Sequence, residues 1–165
     1  MVCLVALTVN ACASSATEDP DTAVSVTVPM TDFATLQPPD KPNNWLVAPA
    51  DFSGIAAVDE AAPVFDVSAS VLAEAWRIII EAEPRTTILA ISDDDLRIEA
   101  EQKSAVFGFV DRISIQVIPL DDGRSTFMAY STSLVGYWDM GANRSRLQDW
   151  ITALQKTVKA ASAPR

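Results

Sequence analysis

Apolar residues recur along this chain with two different periods, and the switch between them predicts the fold. From Ser68 or Ser70 to about Glu83, the residues Leu72, Ala75, Trp76, Ile79 and Ala82 return every three or four positions. That spacing puts them on one face of a helix. A serine is available to cap its start, and Pro84 stops it. Residues 86–91 are β-branched and apolar, and Ser92-Asp93-Asp94-Asp95 reads as a turn. Leu96, Ile98 and Ala100 then alternate with Arg97, Glu99 and Glu101, the period of a half-buried strand. Residues 105–110 form a dense apolar run, A-V-F-G-F-V. If it is a strand, Phe107 and Phe109 share a face across the gap at Gly108 and make a candidate pocket rim. Ile113, Ile115 and Val117 alternate through residues 112–120. Asp121-Asp122-Gly123 signals a hairpin, and residues 125–135 form the return strand. Helical spacing resumes over residues 143–160, with Leu147, Trp150, Ile151, Leu154 and Val158 on one stripe.

The order is helix, four or five strands, helix. Strands joined by tight turns pair antiparallel. Two amphipathic helices can cover only one face of such a sheet. The expected class is therefore α+β: a two-layer sandwich with an antiparallel sheet of four to five strands and two helices on one face.

The chain before the first helix follows neither period. Phe33, Leu36, Trp45, Leu46 and Val47 are interleaved with Pro38, Pro39, Pro42 and Pro49, which excludes a helix. This predicts an extended arm on the domain surface, pinned by Phe33, Leu36 and Trp45. Asn43-Asn44 suggests a turn and Val64-Phe65 a short strand. Further back, residues 2–9 are almost wholly apolar and lead into Val9-Asn10-Ala11-Cys12-Ala13-Ser14-Ser15. This resembles a bacterial lipoprotein signal, in which the cysteine becomes the lipidated N-terminus. The run is too short to span a bilayer, which takes ~20 residues. The expected organisation is a signal segment at 1–11, a flexible acidic tether at 12–32, and one α+β domain with its extended arm at 33–162. The expected place is the bacterial cell envelope, lipid-anchored through Cys12 and facing the periplasm. Cys3 then leaves with the signal, and no disulfide is possible.

Charge and composition narrow the chemistry. The net charge of −10 is unevenly spread: residues 1–66 hold nine acids against Lys41, whereas the remainder is nearly balanced. Without a basic face, nucleic acid is not an expected partner. There is no histidine, so Ser-His-Asp and Cys-His catalysis are excluded, and the commonest zinc ligand is missing. Asp93-Asp94-Asp95 is too short a run to supply the spaced oxygens a calcium site uses, and reads as a solvated turn tip. No metal and no cofactor is expected.

Polar chemistry is densest between Ser131 and Trp150. Ser131 and Ser133 share a strand face. Gly136 and Gly141 sit in a turn with Tyr137 and Asp139, and Asn143, Arg144 and Arg146 open the last helix. Arginines at a helix N-terminus oppose its dipole and call for a partner. That partner is either internal or an external anion. Asp139, five residues before Arg144, is the nearest internal candidate, and Asp111 is another. The run A-V-F-G-F-V-D (residues 105–111), G-Y-W-D-M-G-A-N-R-S-R (residues 136–146), Trp150, P-N-N-W-L-V-A-P (residues 42–49) and E-P-R-T-T (residues 83–87) together resemble the family of unknown function numbered 1499, over residues 33–154. Members of that family often read Ser-Arg-Ser-Arg before the glycine. Here Ser131-Thr132-Ser133-Leu134 keeps the serines and lacks both arginines. The resemblance implies a small, often envelope-associated domain and supplies no reaction.

The candidate cluster is thus Asp111, Ser131, Ser133, Tyr137, Asp139, Asn143, Arg144 and Arg146. The expected function is a non-enzymatic envelope lipoprotein domain that binds a small ligand, a lipid or a protein partner. The alternative is a histidine-independent hydrolase with Asp111 or Asp139 as base.

Overall fold

The computed structural model describes residues 28–161. The signal segment, Cys12 and the tether up to residue 27 lie outside the described residues. In chain order the elements are β1 (Asn44–Ala48), β2 (Glu60–Ala61), α1 (Ala69–Ala82), β3 (Thr86–Ile91), β4 (Arg97–Lys103), β5 (Val110–Pro119), β6 (Ser125–Ser133) and α2 (Ala142–Ala161). Ser68 caps α1, its hydroxyl accepting from the Val71 N–H at 3.4 Å.

The strands form one sheet in the order β2-β1-β6-β5-β4-β3. β3 to β6 run as an antiparallel meander, as tight turns require. The sheet is nevertheless six-stranded and mixed, where four to five antiparallel strands were expected. The difference lies in residues 44–48, read from sequence as part of a surface arm. Pro42 and Pro49 flank this segment without entering it, so all its N–H groups remain free to pair. It inserts as β1 beside β6, with Trp45 opposite Ser131 and Leu46 opposite Tyr130, and it carries the two-residue β2 parallel on its outer edge. Two further expectations are corrected. Phe65 makes a single bridge to Ser125 and no strand with Val64. Residues 104–109 form a loop: Gly108 has φ +66, the left-handed region that breaks a strand, and β5 starts only at Val110.

Both helices lie on one face. Trp76, Ile80, Leu147, Trp150 and Leu154 meet Val47, Ile98, Ile113, Ile115 and Phe127 from the sheet, and Trp76 contacts Phe127 edge-on at 5.0 Å. At ~1.5–3 kcal/mol per large apolar side chain, this layer supplies most of the drive to fold. The opposite face is covered by the chain that precedes α1. Phe33, 2% exposed, packs with Leu36 and Phe52 on Leu46, Met128 and Tyr130. A buried carboxylate marks the same face: Glu99 accepts from the Thr31 N–H at 2.6 Å and the Ser114 hydroxyl at 2.7 Å.

This topology gives the molecule two unlike ends. One end gathers the C-terminus of α1, the starts of β1, β3 and β5, the ends of β4 and β6, and the N-terminus of α2. The other carries the β3–β4 and β5–β6 turns.

Candidate functional site

The first end collects the polar residues. Antiparallel register sets Asp111 on β5 opposite both Gln102 on β4 and Ser133 on β6, all on the helix-bearing face, with Ser131 one pleat further in. The first turns of α2 descend onto this row. Asn143 and Arg146 are three apart and therefore share the inward side of the helix.

Arg146 occupies the centre. Its Nε donates to Gln102 Oε1 at 2.7 Å, and its Nη1 to Ser131 Oγ at 2.8 Å and Asn143 Oδ1 at 2.7 Å. Its Nη2 donates to Asp111 Oδ2. Both side chains of this ion pair are 8% exposed. A planar fork matches such a spread of acceptors, which a lysine ammonium cannot span. Asn143 is fully buried and works from the other side. Its Nδ2 lies 2.6 Å from Asp139 Oδ2, 2.9 Å from the Asn43 carbonyl and 3.0 Å from Ser133 Oγ, so two protons are shared among three acceptors. Its Oδ1 also accepts from Ser131 Oγ at 2.6 Å. Asn43 in turn donates to the Gly136 carbonyl at 3.0 Å and so holds the turn.

Asp139 caps α2. Its carboxylate accepts from the backbone N–H of Gly141 at 2.9 Å and of Asn143 at 2.8 Å. Negative charge there complements the helix dipole. The expected Asp139–Arg144 pair is therefore not formed, because the acid is used by the helix N-terminus. Arg144 lies on the outer side of α2, exposed, with its guanidinium carbon 4.9 Å from the Trp45 ring centroid. The arginine that finds an internal carboxylate is Arg146, and the carboxylate is Asp111.

Of the eight residues singled out in the sequence, six converge in this cluster: Asp111, Ser131, Ser133, Asp139, Asn143 and Arg146. Tyr137 and Arg144 do not join it. They line an open cleft of about 870 Å³ on its outer side, together with Trp45, Trp138, Lys41 and the Pro38–Pro39 segment. Sequence reasoning missed Gln102, Asn43 and Trp45. Gln102 ends an alternating strand and carried no signal of its own. Asn43 and Trp45 stand in P-N-N-W, a segment that carries the family resemblance and suggests a turn and an arm contact, but whose place beside the cluster depends on the non-local pairing of β1 with β6.

A family model described as a protein of unknown function (DUF1499) matches residues 10–154. The chain belongs to the DUF1499 family. No curated protein matches it. The match spans every residue of the polar cluster and the cleft of this DUF1499 domain. The two positions that lack arginine here, Thr132 and Leu134, flank Ser133; Leu134 is 55% exposed at the start of the turn.

Chemically, the cluster is closed. Neither Asp111 nor Asp139 accepts a hydrogen bond from a hydroxyl, and the Ser131 and Ser133 hydroxyls are engaged with Asn143 and Arg146. A serine nucleophile needs a base within hydrogen-bond reach, and none of the described residues fills that role here. Among the described residues no group of three or more acids and cysteines is placed to hold a metal ion. The open chemistry lies in the cleft: exposed aromatic faces, and an arginine with no carboxylate in ion-pair range among the described residues.

Proposed function

We propose that this DUF1499 domain is a non-enzymatic binding module of the cell envelope, anchored through lipid on Cys12, and that its ligand is a small amphiphilic anion held in the Trp45–Tyr137–Arg144 cleft. One observation carries the reading. The six residues that resemble a catalytic cluster are hydrogen-bonded within it, with Asn43 Oδ1 beside them lacking a partner among the described residues, whereas Arg144 rests on Trp45 at the cleft wall with its guanidinium edge open. A cation placed over an aromatic face and beside exposed Tyr137 and Trp138 suits a ligand with an apolar body and one negative group. Of the three acids that line the cleft, Asp40 is exposed beside Lys41, and the other two are engaged by backbone N–H groups. Asp59 accepts from the Leu46 N–H at 2.8 Å, and Asp139 caps α2.

Phenyl phosphate and the aromatic sulfonate 1-anilinonaphthalene-8-sulfonate are suitable probes, followed by intrinsic tryptophan fluorescence and by calorimetry. Saturable binding that weakens on the order of tenfold in Arg144→Gln, the loss of about one charge-assisted contact, is the expected result. Equal affinity for parent and variant overturns the assignment of the cleft.

A further inference from the structure

The same end of the domain displays large apolar side chains that the fold does not cover. The 104–109 loop presents Val106, 81% exposed, with Phe107 and Phe109. The turn after β6 presents Leu134, Trp138 and Met140, the last 82% exposed. They are held out by structure. Ser104 closes its loop through its N–H to the Phe109 carbonyl at 2.8 Å and its hydroxyl to the Phe109 N–H at 3.0 Å. The two phenyl rings stack at 5.5 Å. The Leu134 N–H donates to the Val110 carbonyl at 3.1 Å, tying the two loops side by side. Met140 has φ +57, a left-handed conformation uncommon for a non-glycine residue, and its side chain faces solvent.

Charge leans along the same axis. At the apolar end the exposed Lys41, Arg85, Lys103 and Arg144 outnumber Asp40, Glu83 and Glu101, while Asp111 and Asp139 are used internally. The far end carries Asp93, Asp94, Asp95, Asp121 and Asp122 in its two turns, against Arg124 and the lysines of the last turns of α2. Apolar loop tips, tryptophan and tyrosine beside them, a basic collar and an acidic far pole are together complementary to the surface of an anionic bilayer. A protein groove would want a concave or flat partner face; here the apolar groups stand proud on two adjacent tips.

We propose that this end docks the domain onto an anionic lipid bilayer, with the 104–109 and 134–140 loops entering the interfacial layer and the basic collar resting on the headgroups. The docking belongs to the folded domain and does not depend on Cys12 or on ligand in the cleft.

A full chain carrying Cys3→Ser and Cys12→Ser, so that no lipid anchor can form, takes a single new cysteine labelled with an environment-sensitive nitrobenzoxadiazole dye. The label is placed in turn at Phe107→Cys, at Met140→Cys and, on the far pole, at Asp122→Cys. Vesicles are phosphatidylcholine with or without phosphatidylglycerol. Expected is a blue shift and brightening at positions 107 and 140, none at 122, present with phosphatidylglycerol and suppressed by salt. Val106→Asp should weaken vesicle binding on the order of tenfold or more, the loss of one buried apolar side chain plus a like-charge penalty, and Lys103→Glu should reduce the phosphatidylglycerol dependence. Cosedimentation with vesicles while the dye at 107 and 140 stays in water would mean that the chain is held only by its N-terminal segment, and would overturn the proposal. So would a shift that appears without vesicles and grows with protein concentration, which assigns the surface to a second copy of the chain. Failure of phenyl phosphate to bind leaves this outcome untouched, so the two readings fail separately.

Discussion

Replacing Arg146 with alanine tests whether the polar cluster holds the domain together. The parent guanidinium makes bonds to Gln102, Ser131, Asn143 and Asp111, and the ion pair is 8% exposed on each side. Removing it leaves the Asp111 carboxylate buried without its counter-charge. Breaking one partner of a buried pair costs ~3–5 kcal/mol. Of the remaining partners, Asn143 Oδ1 keeps the Ser131 hydroxyl as donor, whereas Gln102 Oε1 lies near the rim and can turn to water, so they add little. The predicted loss is therefore about 3–5 kcal/mol, a large fraction of the ~5–15 kcal/mol typical of a domain. For a chain of this length it lowers Tm by roughly 10 °C or more. Arg146→Lys should recover little, because an ammonium reaches one or two of the four acceptors. Adding Asp111→Ala to Arg146→Ala removes the stranded charge, and the double variant should lose clearly less than the two single losses together. Urea unfolding of the parent, Arg146→Ala, Arg146→Lys, Asp111→Ala and the double variant reads all of this. Single losses below ~1 kcal/mol, the range of an exposed pair, with full rescue by lysine, would refute the buried-latch argument. Arg144→Ala serves as control and should cost about 0.5–1 kcal/mol, a surface cation–π contact.

Cys12→Ser should abolish partitioning of the cell-made protein into detergent and remove the lipid mass from its N-terminus; unchanged mass and partitioning in the variant refute the anchor. Glu99→Ala should free the arm that Thr31 fastens to the sheet, making Phe33 accessible to limited proteolysis while β1 stays protected; an unchanged cleavage pattern counts against that role. Acid should destabilise the fold. Thr35 and the Ala34 N–H hold Asp32 below its ordinary pKa, Arg77 does so for Glu74, Ser92 for Asp94 and Arg124 for Asp122. Each folded pKa is depressed, so each contribution is present above the ordinary carboxylate range and is lost as pH falls through the folded values. These groups lie at the surface, where solvent screens them, so the urea midpoint should fall gently and in a salt-dependent way below that range; a midpoint that rises on acidification contradicts the assignment.

What could be read from the sequence depended on how local the signal was. Trp76, Ile79, Trp150 and Leu154 sit at helical spacing, and both helices are where that spacing puts them. The hairpin at Asp121-Asp122-Gly123 follows from a glycine with φ +80. β1 could not be read this way, because its pairing with β6 is non-local and the flanking prolines exclude a helix without naming a strand partner. The apolar run at 105–110 reads as a buried strand because composition cannot say whether hydrophobic side chains face inward or outward. Five of the six residues that converge, Asp111, Ser131, Ser133, Asn143 and Arg146, do so because strand and helix periods fixed their faces, and the sixth, Asp139, because it caps α2. The choice between Arg144 and Arg146 turned on a rotation about the helix axis, which depends on α2 beginning at Ala142 and on Asp139 being used as its cap.

The insertion of β1 has a consequence for the order in which the chain can fold. Asn143 grips the Asn43 carbonyl across 100 residues of chain, and the slot beside β6 that receives β1 is completed only by the first turn of α2. The β3–β6 meander can pair as it emerges, since its partners are close in sequence. β1 has no site until β6 and the start of α2 have been made, and ring closure over so long a loop slows the step further. The last event in assembly is thus the docking of the part made first. In pulsed hydrogen exchange the amides of Leu46 and Val47 should gain protection after those of Ile113 and Ile115. A domain that folds in this order keeps the β6 edge of its sheet open, and so able to pair with another strand, until the first turn of α2 is in place.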